Sequence, residues 1–295
     1  MLILSKRLHS IFVLRLFNDA FAVFFQWLAI YLYQRRLWTF GSIAYSLGVG
    51  VKMSLLLGLP AVGVMLFLAR GVNGALSNAS MMAQVQVALA IRFLQGNFKG
   101  YLSRAFELSR QFLFRWTVNW RFIGEEMFLS KPFSVALLAG HLSVLILFVG
   151  RRWLRPTEMR LGQLMDNILR FKEPLGKLQH AISVRVSPNF ILTTILTANA
   201  IGMLFARSLH YQFYTYIALA TPFLLWRAGL HPILQYVLWA IQEWAWNIYP
   251  STNTSSSVVV GVLLIQVVSI WWGTRRDFWE PKGHGCATSA TKKIS

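Results

Sequence analysis

The sequence predicts an all-α, polytopic transmembrane protein, and three observations carry that prediction. Hydrophobic residues make up 56% of the 295 residues and charged residues 13%, against roughly 25% charged in soluble domains. The apolar residues gather in stretches at 11–33, 41–69, 79–95, 133–150, 189–206, 212–226, 232–249 and 256–273, several of them close to the ~20 residues that a spanning helix needs. Those stretches are continuous rather than alternating with period two, which excludes a transmembrane β-barrel. A mean hydropathy of +0.50 excludes disorder, a collagen-like fibre and an ordinary soluble enzyme. No repeat of fixed period is visible.

The charge decides topology. Lys and Arg number 29 against 10 Asp and Glu, a net +19. On a soluble domain that excess would suggest nucleic acid. Here the cations sit between apolar segments and in the tail, so they read as residues held on the cytosolic side, and no nucleic-acid partner is expected. Segment 151–188 carries eight cations against three acids and is assigned to the cytosol. That assignment puts 96–131 and the connection after 206 on the luminal side. It brings Arg275 and Arg276 back to the cytosol. The expected organisation is a membrane domain over 1–273 and a polar cytosolic tail over 274–295. The single cysteine, Cys286, excludes an intramolecular disulfide framework and a cysteine-rich metal site.

One stretch conflicts with simple parity. Arg35, Arg36 and Arg70 all prefer the cytosol, so 41–69 must enter the membrane and return. Its 29 residues are too few for two crossings of ~20 each. Gly58 and Pro60 near its middle, with Lys52 inside it, predict a broken, re-entrant hairpin. The alternative is one kinked crossing. Irregular backbone at that depth is tolerated only where it is buried in protein or lines a cavity.

Three places could carry chemistry. In the loop 97–131, Phe98, Leu102, Ala105, Phe106, Phe112, Leu113 and Trp116 recur at helical spacing, which predicts a luminal amphipathic helix at the membrane surface. The loop's net charge of +3 runs against the usual bias. It reads either as a platform for a phosphorylated lipid, with Arg making multidentate phosphate contacts, or as an interfacial anchor. The second place is Arg207-Ser-Leu-His-Tyr-Gln-Phe-Tyr214. There Arg207 would take a phosphate, and His210, Tyr211 and Gln212 would position hydroxyls or a leaving group; a plain turn with aromatic-belt residues is the other reading. The third is Arg15, Asn18 and Asp19, preceded by Lys6, Arg7 and His9. Arg15 and Asp19 are four apart and expected to pair on one helix face. Intramembrane ions are costly and default to a functional reading, Lys52 included. Glu243 in an apolar helix reads as a structural acid.

Phosphate-binding glycine loops, His-Glu-x-x-His and Gly-x-Ser-x-Gly do not occur. Of the sequons at Asn78 and Asn253, the topology places only Asn253 on the luminal side. Lys292 and Lys293, fourth and third from the end, resemble a dilysine endoplasmic-reticulum retrieval address.

Ser5 to Asp19, Ser46 to Met53, Gly100 to Glu126, Ala206 to Tyr214 and Trp246 to Thr252 together resemble the dolichyl-phosphate-mannose-dependent α-1,3-mannosyltransferases of asparagine-linked glycosylation, in their fungal branch. The pairing of Trp116-Thr-Val-Asn-Trp-Arg121 with Arg207-Ser-Leu-His-Tyr-Gln-Phe213 is the specific part. The resemblance implies a GT-C enzyme of the endoplasmic-reticulum membrane, multi-pass, without cofactor or metal. Its donor would be dolichyl-phosphate-mannose, and its acceptor the five-mannose oligosaccharide on dolichyl pyrophosphate. A carboxylate base and cations at the leaving phosphate are part of that expectation. Arg207 and His210 would then contact phosphate, and Trp116, Asn119, Trp120 and Arg121 glycan or pyrophosphate. The resemblance also places a helix and an acidic luminal motif before the segment that matches Ser5. A truncated member with little activity alone is therefore expected, its base outside these residues. Thr215 to Ala220 departs from many relatives, and 70–95 matches loosely. The competing readings are a non-catalytic remnant that binds dolichol-linked lipid or a partner, and a transporter or flippase.

Overall fold

The computed structural model describes residues 1–105, 113–169 and 178–277. Lys292, Lys293 and most of the expected tail lie outside the described residues, as do 106–112 with Phe106 and Phe112. Among the described residues there are helices and connections but no strand. The chain is a multi-pass membrane protein.

The chain begins with a short arch, α1 (Lys6–His9) followed by a π turn over Ser10–Leu14. Leu16 takes a left-handed φ of 47°, and the arch bends by 107° into α2 (Asp19–Gln34). Helix α3 (Trp38–Val51) packs back along α2. Lys52 is extended, a 3-10 stretch runs over Met53–Gly58, and α4 (Leu59–Ala105) follows. α4 is interrupted at Gly71, with φ +70°, a backbone state open to glycine at little cost. A Cβ there would also stand 3.2 Å from Gln179 Oε1.

Hydrogen bonds define two ends of the bundle. At the basic end Gln34 Nε2 donates to Pro188 O, Arg36 to Ser183 O, Gln179 Nε2 to Leu68 O and Arg185 to Pro156 O. At the other end Val118 N donates to Leu209 O, Ser251 Oγ to Thr117 O and Tyr211 OH to Ile248 O. Arg36 and Leu68 therefore lie at one end, and 38–69 enters and returns as the charge parity demands. The second part of α4 then climbs beside α3: Ser42 Oγ reaches Asn78 Oδ1 at 3.0 Å and Gln86 Nε2 reaches Ser46 Oγ at 2.8 Å. Such polar pairs between helices satisfy groups that lipid cannot. The same bonds bury Asn78.

The remaining elements are α5 (Glu125–Leu129), α6 (Lys131–Phe148), α7 (Leu161–Leu169), α8 (Gln179–Arg185), α9 (Pro188–Leu204), α10 (Tyr214–Arg227), α11 (Pro232–Asn247) and α12 (Asn253–Gly273). Their starts are legible chemistry. Ser130 and Ser187 cap α6 and α9 ahead of a proline in the first turn, and Thr252 with Ser255 makes a capping box for α12, each satisfying orphan N–H groups. α9 is the central helix, buried continuously from Thr193 to Leu204. α6 is peripheral and turns Val135, Leu138, Leu142 and Ile146 outward, one helical stripe facing lipid.

The eight apolar stretches do not all become full spans. Among the described residues Met53–Ala105, Lys131–Thr157 and Asn253–Arg276 are long and apolar enough to cross a membrane, and the count rises to as many as five if each of two bent pairs is one span. The stretch at 79–95 is the second part of α4. Those at 212–226 and 232–249 become helices of 14 and 16 residues, about 21 and 24 Å at 1.5 Å per residue, short of a ~30 Å hydrocarbon core. Their outer residues are drawn into connections: Tyr211–Phe213 forms a 3-10 turn, and Ile248 is extended.

Candidate functional site

At the end opposite the basic one, three connections and the N-terminal arch surround an open cleft of about 540 Å³. The arch supplies Arg7, Ser10, Ile11, Arg15 and Phe17, the 3-10 turn supplies His210, Tyr211 and Gln212, and the flanking loops supply Trp116 and Tyr249. Two guanidinium groups and an imidazole line it, and among the described lining residues there is no carboxylate. The cleft therefore carries positive charge with aromatic walls beside it, the chemistry that suits an anion.

Arg7 lies 4.5 Å over the Tyr211 ring, and the Tyr211 hydroxyl donates to Ile248 O at 2.6 Å. Burial pushes the Arg7 guanidinium down from its ordinary pKa, and burial pushes the Tyr211 phenol up; each charged form loses solvent. Arg7 Nε is buried with no hydrogen-bond acceptor among the described residues. An orphaned donor on a cation is costly unless a ligand accepts from it. Tyr249 packs edge-on against Tyr211 at 5.6 Å.

The expected Arg15–Asp19 pair does not form. The helix that would place them on one face breaks at Leu16, so Arg15 faces the cleft and Asp19 begins α2. Asp19 is fully buried and accepts instead from Lys52 Nζ at 2.5 Å. Lys52 also lies 5.3 Å from the Phe213 ring centre, and Ser54 donates to Tyr216. The re-entrant apex thus supports the turn that carries His210 to Gln212. Asn18, exposed, precedes α2 and is outside the lining.

The Trp116–Arg121 motif is mostly scaffold. Asn119 is completely buried. Its Nδ2 donates to Ala206 O at 2.6 Å and its Oδ1 accepts from Leu209 N at 2.7 Å. Trp120 takes a left-handed φ of 55° and donates Nε1–H to Ala206 O. Arg121 N donates to Ser256 Oγ, and its guanidinium donates to Phe114 O. Of the motif, Trp116 alone lines the cleft. Arg207 also stands outside the lining and donates to Phe128 O and Leu129 O at the end of α5, while its buried Nε has no acceptor. The predicted amphipathic helix does not run through Trp116: α4 ends at Ala105, and Leu113 is extended ahead of a 3-10 turn over Phe114–Trp116. Residues in this strap bond across to other loops rather than along a helix.

The structure gathers Arg15, Trp116, His210, Tyr211 and Gln212, which the sequence analysis singles out at three separate places, around one cleft. Sequence reasoning passes over Arg7, Ser10, Phe17 and Tyr249 as lining residues. The cationic run Lys6-Arg7-x-His9 before an apolar stretch was the available signal for Arg7. Glu243 is a structural acid, as the sequence suggests. It accepts from Ser5 Oγ at 2.8 Å, Tyr214 OH at 2.5 Å, Asn247 Nδ2 at 2.9 Å and the Arg7 backbone N–H at 3.3 Å.

Comparison with known proteins places this geometry. The chain is 57% identical over 99% of its length to the Dol-P-Man:Man(5)GlcNAc(2)-PP-Dol alpha-1,3-mannosyltransferase of Neurospora crassa, covering 66% of that protein. The proteins of the same name from Homo sapiens and Mus musculus are each 42% identical over 91% and 90% of the chain, which covers 60% of each. The chain thus spans less than two thirds of the length of these relatives. No solved structure matches it. A family model described as ALG3 protein matches residues 1–256, and the chain belongs to the ALG3 protein family.

Proposed function

We propose that this protein is a mannosyltransferase of the endoplasmic-reticulum membrane. It would take mannose from dolichyl-phosphate-mannose and add it in α-1,3 linkage to the five-mannose oligosaccharide on dolichyl pyrophosphate. No cofactor is invoked, since the lipid donor brings an activated sugar. Family membership supports the reaction, because the relatives' names state both substrates. The observation that carries the reading in this chain is the cleft, where Arg7, Arg15 and His210 face one space at the end of the bundle without an opposing acid among the described lining residues.

In the transfer, the acceptor hydroxyl oxygen bonds to the anomeric carbon as the carbon–oxygen bond to phosphate breaks. The bonding pair leaves with dolichyl phosphate, whose charge grows from one to two. Arg7 and Arg15 are suited to stabilise that developing charge, since fixed cations in a partly dry site act more strongly than in water. His210 and Gln212 have the polarity to hold phosphate or sugar oxygens. Trp116 and Tyr249 offer flat apolar surfaces to a sugar or an isoprenoid. The hydroxyl proton goes to a base, for which the resemblance implies a carboxylate. The site end is then luminal and the basic end cytosolic, in accord with the cation bias. Lys292 and Lys293 are proposed to hold the protein in the endoplasmic reticulum.

A second reading has one observation in its favour. Asp19 and Glu243, which bond to elements that build the cleft, are both held by donors inside the bundle. On that reading these residues bind dolichol-linked lipid without transferring sugar. Expression in cells lacking this mannosyltransferase separates the two. Conversion of the five-mannose lipid-linked oligosaccharide to the six-mannose species by mass supports the enzyme. An unchanged five-mannose species from a stably inserted chain supports the binding reading.

A further inference from the structure

We propose that Glu243 is a positioning residue for anion binding, holding the arch so that Arg7 faces the cleft. The inference rests on the reading that the cleft binds a polyprenyl phosphate.

Glu243 stands four residues before the end of α11, where the helix dipole disfavours an acid. An acid is stable there when donors surround it. The four donors come from three elements: Ser5 and Arg7 in the arch, Tyr214 at the start of α10, and Asn247 on the same helix. The Glu243 carboxyl oxygens accept from all four. One side chain therefore fixes both ends of the cleft wall. It holds the Ser5 hydroxyl and the Arg7 backbone N–H, and through Tyr214 it holds the residue directly after the turn that carries His210 to Gln212. Its charge also partly offsets the guanidinium of Arg7. Leu8 and Ile11 anchor the inner side of the arch in the core, and Glu243 adds polar bonds at Ser5 and Arg7. Glu243 does not line the cleft, so its effect on a ligand passes through Arg7.

The test is calorimetric titration of the full chain, purified in detergent, with farnesyl phosphate as the probe. Arg7→Ala and Glu243→Ala are each expected to weaken binding about tenfold or more, the scale of a charge-assisted contact. The double variant is expected to bind no more weakly than Arg7→Ala alone, because the two act as one unit. Tyr214→Phe removes a bond on the α10 side only and is expected to lower the melting temperature with less than about a threefold change in affinity. Where Glu243→Ala does not fold, Glu243→Gln keeps size and one acceptor oxygen, and a weakening of about threefold is expected. The proposal is overturned if Glu243 variants bind like the parent, or if Glu243→Ala weakens binding by the same factor with and without Arg7. If Arg7→Ala and Arg15→Ala leave affinity unchanged, the phosphate reading of the cleft itself has failed.

Discussion

The arch over 5–17 and the strap over 116–121 meet at the same end of the bundle and handle their polar groups in opposite ways. In the strap, Asn119, Trp120 and Arg121 direct their polar atoms at other loops, and the bonds join residues 117–121 to 206–209 and to 251–256. In the arch, Arg7 keeps a buried guanidinium N–H without an acceptor and Arg15 faces the cleft. Satisfied groups make a scaffold, and an unsatisfied cation marks a site only where it also lines an open cleft, as Arg7 does and Arg207 does not. A conspicuous polar motif at a membrane boundary is therefore ambiguous until its partners are known.

Four substitutions test that contrast. The largest effect is expected from Lys52→Ala, which leaves Asp19 buried without its cation; loss of one partner from a buried pair costs on the order of 3–5 kcal/mol. Thermal unfolding in detergent should show it, and Lys52→Met combined with Asp19→Leu should recover most of the loss. Next comes Asn119→Ala in the strap. It abandons a buried carbonyl and a buried amide, each worth about 1–3 kcal/mol when left unpaired. The melting temperature should fall together with the yield of folded protein. Arg7→Ala should show the opposite signature: a melting temperature close to the parent, with polyprenyl-phosphate affinity down about tenfold or more. A large loss of stability there would place the arch with the scaffold and dissolve the contrast. The smallest effect is expected from Arg207→Ala, which removes two long bonds to the end of α5 and costs about 1 kcal/mol of stability. Its effect on affinity should be smaller than that of Arg7→Ala, and an equal or larger loss would move Arg207 from support to ligand contact.

The entry and return of 41–69 were legible because charge parity is a counting argument: Arg36 and Arg70 prefer one side, and Gly58 and Pro60 mark where the run can break. The helix starts at Ser130, Ser187 and Thr252 were legible because capping is local. The Arg15–Asp19 pairing was misread because spacing of four implies contact only if the helix is continuous, and Leu16 breaks it. Arg207 looked like a phosphate ligand by type and position. That it reaches Phe128 O and Leu129 O depends on where the end of α5, nearly 80 residues earlier, is packed, which no local pattern reports.

By itself the sequence determined that this chain is helical, spans a membrane several times and carries a net charge of +19, with its cations between the apolar runs and in the tail. Those properties follow from hydrophobic run length and from net charge between the runs, quantities summed over residues without knowledge of partners. Its motifs also carried the family resemblance. The tertiary structure alone decided which polar residues face the cleft. That outcome depends on which donors find acceptors across the bundle, as Glu243 does with Ser5 and Asp19 with Lys52. Hydrogen bonds between distant elements have no period and no spacing, so they appear only when the helices are packed.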